Sequence, residues 1–258
     1  MTKLKAFATH IGISLVIFFV TVAYIIYFWY PQPFFTSDGG WQGVRIIAAV
    51  DLVLGPVLTL IVFKPGKPRL KMDLTIIGLV QALALAWGIW VVHHERPIAA
   101  VFLDDTFHSV TANDMKSRGM TAEKLSTFGT RAPFWVYSEL PESPQEMEIL
   151  LKSAMESGRP LYMYIEYYKV IDKKIEGLIA SNGLDLASLV EDKPDDKKVY
   201  DAFVSEHKSE LDNIVFFHWN ARYGKGVIAL RKDTLDYVAR LDINLSKINT
   251  ATKANIDN

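Results

Sequence analysis

Three runs of about twenty apolar residues fill the first third of the chain: Ile11 to Tyr30, Val44 to Phe63 and Leu74 to Val92. A helix needs about 20 residues to cross roughly 30 Å of hydrocarbon, so each run is a candidate membrane span. Three core helices of a soluble domain fit less well. The first and third runs carry no formal charge, and runs of that length exceed the usual reach of a buried core helix.

The chain's net charge of -1 hides an asymmetry. Residues 1–94 hold seven basic residues (Lys3, Lys5, Arg45, Lys64, Lys67, Arg69, Lys71) and three acidic ones (Asp38, Asp51, Asp73), whereas the remainder holds 21 basic and 26 acidic residues. A sparsely charged, basic region therefore precedes an ordinary charged one. The first run is not read as a cleaved signal peptide, because it is longer than a signal's apolar core and ends in Tyr27-Phe28-Trp29-Tyr30-Pro31 with no small-residue cleavage site. Aromatic residues there suit a membrane interface. Lys3 and Lys5 precede the first run, Lys64 to Lys71 fill the loop after the second, and the loop from Pro31 to Gly43 has no basic residue. The positive-inside rule then puts the N-terminus and the basic loop in the cytoplasm and the C-terminal part outside.

The expected fold class is a membrane protein with three transmembrane α-helices, at about 8–30, 43–63 and 73–93 within a region 1–94, followed by a periplasmic α+β domain at 95–245 and a polar tail at 246–258. Strands are expected at Pro97 to Leu103, Phe134 to Tyr137 and Leu161 to Ile165. Ser143-Pro144-Gln145-Glu146 reads as a capping box opening a helix that stops at Gly158, with Met147, Leu150, Leu151 and Ala154 as its core face. Two further helices are expected at Leu184 to Glu191 and about Asp195 to His207. Ile214 to Trp219 and Val227 to Leu230 read as a hairpin whose glycines supply positive φ. With no long linker, the domain is expected close to the membrane surface.

The absence of cysteine removes thiol nucleophiles and Cys-ligated metal sites. Lys64-Pro65-Gly66-Lys67 reads as a tight cytoplasmic turn and not as a phosphate loop, since it has proline where that loop needs donor amides, and no Gly-x-Ser-x-Gly elbow occurs. His93-His94-Glu95 reads as interfacial rather than metal-binding, because neighbours on a helix point about 100° apart. No cofactor is expected. The acidic balance of the second part argues against nucleic acid.

Intramembrane polar residues are the stronger signal. Arg45 lies near the outer end of the second span, where it can snorkel to headgroups. Asp51 lies deeper, with Gly55-Pro56 one turn further on; the proline removes the bond its amide would make to the carbonyl of residue 52. A carboxylate at that depth costs several kcal/mol unless neutral, hydrated or paired, so it should face protein rather than lipid. Gln81 of the third span lies at similar depth. Three roles stay open for Asp51: a lock onto Gln81 or a first-span tyrosine, a contact for another protein's membrane helix, or proton or ion transfer.

Trp29-Tyr30-Pro31, the stretch Val50-Asp51-Leu52-Val53-Leu54-Gly55-Pro56-Val57-Leu58-Thr59-Leu60-Ile61-Val62-Phe63-Lys64-Pro65-Gly66-Lys67, then Leu70-Lys71-Met72-Asp73-Leu74 and Arg96-Pro97 resemble the TfpX/TfpZ family of type IV pilin accessory proteins. The resemblance covers the membrane region and continues into the helix start at Ser143 and the late hairpin. It implies a multi-pass bacterial inner-membrane protein without catalytic activity, acting with the major pilin on its stability, assembly or retraction. Two other classes fit less well. A membrane-anchored sensor needs more cytoplasmic chain for output, and a membrane enzyme needs paired groups at one depth. No pattern specifies an oligomeric state.

Overall fold

The computed structural model describes residues 2–118, 122–243 and 245, and the chain divides after Arg96 into two units. The first unit holds three helices long and apolar enough to cross a membrane: α1 (Lys3–Trp29), α2 (Gly40–Val62) and α3 (Leu70–His94). Each differs from its expected span by a few residues, and local chemistry accounts for the ends. Thr2 caps α1 by accepting from the Lys5 amide at 3.2 Å. The last turn of α1, Ile25–Trp29, is a π turn closed by the Tyr30 amide donating to the Ile25 carbonyl at 2.8 Å. α3 starts at Leu70, where an ion pair of Lys67 with Asp73 at 2.6 Å ties its first turn to the preceding loop.

Between α2 and α3 the Lys67 amide donates to the Lys64 carbonyl at 3.1 Å, and Gly66 has φ 77°. Pro65 second and a positive-φ glycine third are the requirements of a type II turn, so the four residues read as a tight turn do form one.

α1 and α2 approach α3 around Ile25, Tyr30, Ile47 and Val92. Tyr30 donates its hydroxyl to the Val92 carbonyl at 2.9 Å, and a Cβ on Gly43 would stand 2.5 Å from Val92 Cγ2, so a glycine is needed for that close approach. Elsewhere the helices turn apolar side chains outward. In the most apolar stretch of each helix only 11% of α1 and 6% of α3 is buried, and Val16, Phe19, Leu83 and Trp87 are 63% to 67% exposed. Water would penalise such a surface; hydrocarbon removes that penalty.

The second unit is a mixed seven-stranded sheet in the order β4-β3-β1-β2-β5-β6-β7. Its strands are β1 (Pro97–Leu103), β2 (Thr106–Thr111), β3 (Phe134–Ser138), β4 (Tyr168–Val170), β5 (Ile214–Asn220), β6 (Lys225–Arg231) and β7 (Tyr237–Leu241). β1 pairs antiparallel with β2 and parallel with β3, while β2 pairs parallel with β5, so two parallel pairings join the antiparallel groups β4-β3, β1-β2 and β5-β6-β7 into one sheet. Helices fill the connections: α4 (Ala112–Ser117), α5 (Pro144–Ser157), α6 (Lys173–Ser181), α7 (Leu186–Val190) and α8 (Pro194–Glu206). One core gathers Ile98, Val101, Val110, Val136, Met163 and Tyr168; a second gathers Leu186, Val190, Phe203, Phe216, Val227 and Leu241.

Several expectations for this unit are corrected. Leu161 to Ile165 is not a strand: from Pro160 the chain makes two tight 3-10 turns that bury Met163, Tyr164 and Ile165 in succession, and the strand follows as β4. Ser143 begins α5 without a capping box, because its hydroxyl bonds the Gln145 side chain instead of the third amide. The capping box is formed by Thr111 and Asp114 at α4. Of the expected core face of α5 only Leu150 is buried, and Leu151 is exposed. The helix expected from Leu184 starts at Leu186, after Asp185 bonds the Ser188 amide. In the β5–β6 hairpin the glycines do not have positive φ; a Cβ on Gly226 would meet the Leu241 carbonyl oxygen at 2.7 Å, so closeness to the β7 backbone is what requires that glycine, while Gly224 faces only the movable end of Arg240. Gly158 does end α5 at φ 61°. The tail at 246–258 lies outside the described residues.

Candidate functional site

The helical unit buries a connected set of polar side chains that spans its three helices. Asp51 is 1% exposed, and Ser14 and Thr59 are buried beside it. Gln81 of α3 joins them. Its Nε2 donates to Asp51 Oδ1 at 3.1 Å, to the Asp51 carbonyl at 3.3 Å and to Ser14 Oγ at 3.2 Å. Its Oε1 accepts from His10 Nε2 at 2.8 Å, which fixes the proton on that ring nitrogen; Nδ1 shares a hydrogen bond with Thr59 Oγ1 at 2.5 Å. One amide side chain thus ties all three helices together.

The backbone of α2 explains why Asp51 offers its carbonyl. Residues Ala49–Leu54 wind as a π turn, in which the Gly55 amide reaches back to the Val50 carbonyl. In that register the next amide, owed to the Asp51 carbonyl, belongs to residue 56, which is proline and has none. Sequence reasoning in the α register assigns the freed carbonyl to residue 52. The π turn moves it to Asp51, where Gln81 meets it. The chain does not break there: Gly55 stays right-handed at φ -60° and ψ -57°. Gly55 also makes room, since a Cβ on it would overlap Gln81 Oε1 at 2.0 Å.

Of the residues singled out from sequence, Asp51, Gly55, Pro56 and Gln81 come together here. Arg45 is exposed on α2 before the π turn and takes no part in the hydrogen bonds described above; Lys64, Pro65, Gly66 and Lys67 form the turn between α2 and α3. The expected first-span partner was a tyrosine, yet Tyr30 goes to the Val92 carbonyl, and His10 and Ser14 supply the α1 contacts. Those two residues and Thr59 escaped sequence reasoning. The available signal was spacing: His10 and Ser14 are four apart and so share a helix face.

Asp51 Oδ2 is buried with no hydrogen-bond partner among the described residues. A buried orphan oxygen on a carboxyl group is costly and calls for a role. Chemically the arrangement can hold three helices in register and can accept one further donor at Oδ2. Among the described residues no group of three His, Cys, Asp or Glu side chains could hold a metal ion.

Three helices long and apolar enough to cross a membrane, closed by a polar knot and followed in the chain by a separate α+β unit, define the class of protein. Comparison with known proteins narrows this class. A fimbrial assembly protein of Dichelobacter nodosus, serogroups C1 and C2, is 30% identical over 114 residues, which are 43% of this chain and 86% of the relative. Fimbrial assembly proteins of serogroups E1 and I from the same organism are also 30% identical over 114 residues, but the match spans 44% of their length. The chain belongs to the family of these fimbrial assembly proteins. No family model and no solved structure matches it.

Proposed function

We propose that this protein is a non-enzymatic inner-membrane accessory factor of type IV pilus biogenesis, of the TfpX/TfpZ kind, which binds the major pilin and modulates its stability, assembly or retraction. The observation that carries this reading is kinship with proteins named for fimbrial assembly. In the proposal the N-terminus and the Lys64–Lys67 turn face the cytoplasm and the sheet unit faces the periplasm, as the distribution of basic residues favours.

The three helices form a preset intramembrane surface. The polar knot fixes their mutual rotation, and the outward face of α2 presents Val53, Val57 and Ile61, at i, i+4 and i+8, to a partner helix. Association inside hydrocarbon rests on close packing rather than on expulsion of water, so a rigid ridge suits the task. Asp51 acts within this scheme by holding the ridge in shape.

The test is site-specific photocrosslinking from Val53 and Ile61 in cells that express the pilin. A crosslink to pilin is expected from either probe. Probes at both positions that capture only lipid, while a probe in the sheet unit captures pilin, would move the contact out of the membrane; no pilin capture from any position would falsify the reading.

A further inference from the structure

The sheet unit holds a cleft of about 960 Å³ that the proposed intramembrane contact does not use. Strand register builds its floor: Phe102 of β1, Tyr137 of β3 and Lys169 of β4 lie in one row across the sheet. The Phe102 and Tyr137 rings stack with centroids 6.2 Å apart. α6 adds an aliphatic wall of Ile175 and Leu178, the latter half exposed.

The lining is strongly acidic. Five carboxylates stand against two ammonium groups. One of those ammonium groups, on Lys169, is already paired with Glu139 at 3.6 Å, and Asp172 is engaged as the N-cap of α6. Asp104 and Asp105 turn the chain from β1 to β2 at φ 47° and 57°, both exposed, and Glu142 is exposed as well. Ser138, also in the lining, is 2% exposed, and its Oγ has no hydrogen-bond partner among the described residues.

We propose that this cleft binds an extended basic peptide segment of a partner protein. An apolar side chain of the segment lies on Tyr137, which is backed by the buried Phe102 ring, and its cationic groups meet Asp104, Asp105 and Glu142. Charge complementarity selects a cation, and the ring floor selects one attached to an apolar body, with ring faces adding attraction for the charge. A bare divalent ion would need several converging oxygens, and no such group of acids occurs among the described residues. β4 is the outermost strand and lends Lys169 and Val170 to the lining, so an extended segment would lie beside a strand edge.

The experiment titrates fluorescein-labelled acetyl-Lys-Phe-Lys-Val-Lys-amide into the full chain held in phosphatidylcholine nanodiscs, read by fluorescence anisotropy. Saturable binding is expected, weakening about tenfold as salt rises from about 50 mM to about 300 mM. The D104N/D105N double variant, in an exposed turn, should bind about tenfold more weakly, two screened pairs of about 0.7 kcal/mol each. Tyr137→Ser should lose as much, while Tyr137→Phe should bind as the wild type does. The proposal is overturned by absence of saturation, by equal binding of the glutamate-for-lysine peptide, by equal binding of a Lys-Gly-Lys-Gly-Lys peptide, or by an unaffected D104N/D105N variant. Displacement of the peptide by calcium alone at equal occupancy would reassign the cleft to a metal ion and overturn it too.

Discussion

The helical unit and the sheet unit differ in what they turn outward: the helices bury a polar set beside a small apolar contact and expose large apolar side chains, whereas the sheet unit buries its apolar side chains. In the first, Ser14, Asp51 and Thr59 are inside while Val16, Phe19 and Trp87 face out; in the second, Ile98 to Val101 are fully inside and the acids and lysines face out. The difference is one of solvent. Apolar burial stabilises the sheet unit by roughly 25 cal/mol per Å² removed from water, but helices in hydrocarbon gain almost nothing that way. Their cohesion must come from close packing and from hydrogen bonds, and Gln81 supplies hydrogen bonds to both other helices.

This contrast can be broken by substitution. The largest effect is expected from Gly55→Leu, whose side chain would occupy the space of the Gln81 amide; about 3 kcal/mol of overpacking should remove most folded protein from the membrane fraction. Gly78→Leu, in open space on α3, should leave the level unchanged. Equal levels of the two variants would deny the knot its role.

In the sheet unit a half-buried titratable group is His108, stacked on Tyr162 with centroids 4.1 Å apart and receiving a hydrogen bond from Asn220 Nδ2 at Nδ1, 3.2 Å away. Burial pushes its pKa down to about 4, below the ordinary 6.5, so the folded state keeps the ring neutral. The unfolded chain takes up a proton first, and the stability present above pH 6.5 is lost as pH falls toward 4, by up to about 3 kcal/mol. Pulse proteolysis of the full chain across that range should show the loss, and His108→Asn should reduce its steepness. An unchanged profile in the variant would mean that carboxylates alone set acid sensitivity.

Gln81→Leu leaves both Asp51 and His10 without their shared partner and should cost about 2 kcal/mol in the helical unit, measured by denaturation in mixed micelles. Adding Asp51→Leu should restore part of that, because removing both partners is cheaper than orphaning one. Purely additive losses would show that the two side chains do not interact. The smallest effect, about 1 kcal/mol, is expected for Thr111→Ala, which removes the cap of α4 and should be felt only in the sheet unit.

Much of the helical unit was legible in sequence because its rules are few. Run length marked the spans, Pro65-Gly66 marked the turn, and the depth of Asp51 and Gln81 marked their meeting. His10 was hidden by its position before the apolar run, and Ser14 and Thr59 by being ordinary in membrane helices. The sheet unit was less legible. β2 mixes Thr, His and Ser with its apolar residues, and its turn from β1 uses Asp104-Asp105 without the glycine that usually marks positive φ. α6 lay in a stretch with a weak pattern, with its cap, Asp172, as the one local signal. The apolar stripe of α5 was read as core because periodicity shows that a face exists, not what covers it.

The π turn of α2 has a geometric consequence. One residue added to a helix rotates all that follows by about 100°. The two halves of α2 are therefore out of phase: Gly43 is turned to Val92 before the π turn, and Thr59 to His10 after it. Deleting any one residue from Ala49–Leu54 would restore a continuous spiral, and the spiral could then serve one neighbour or the other but not both.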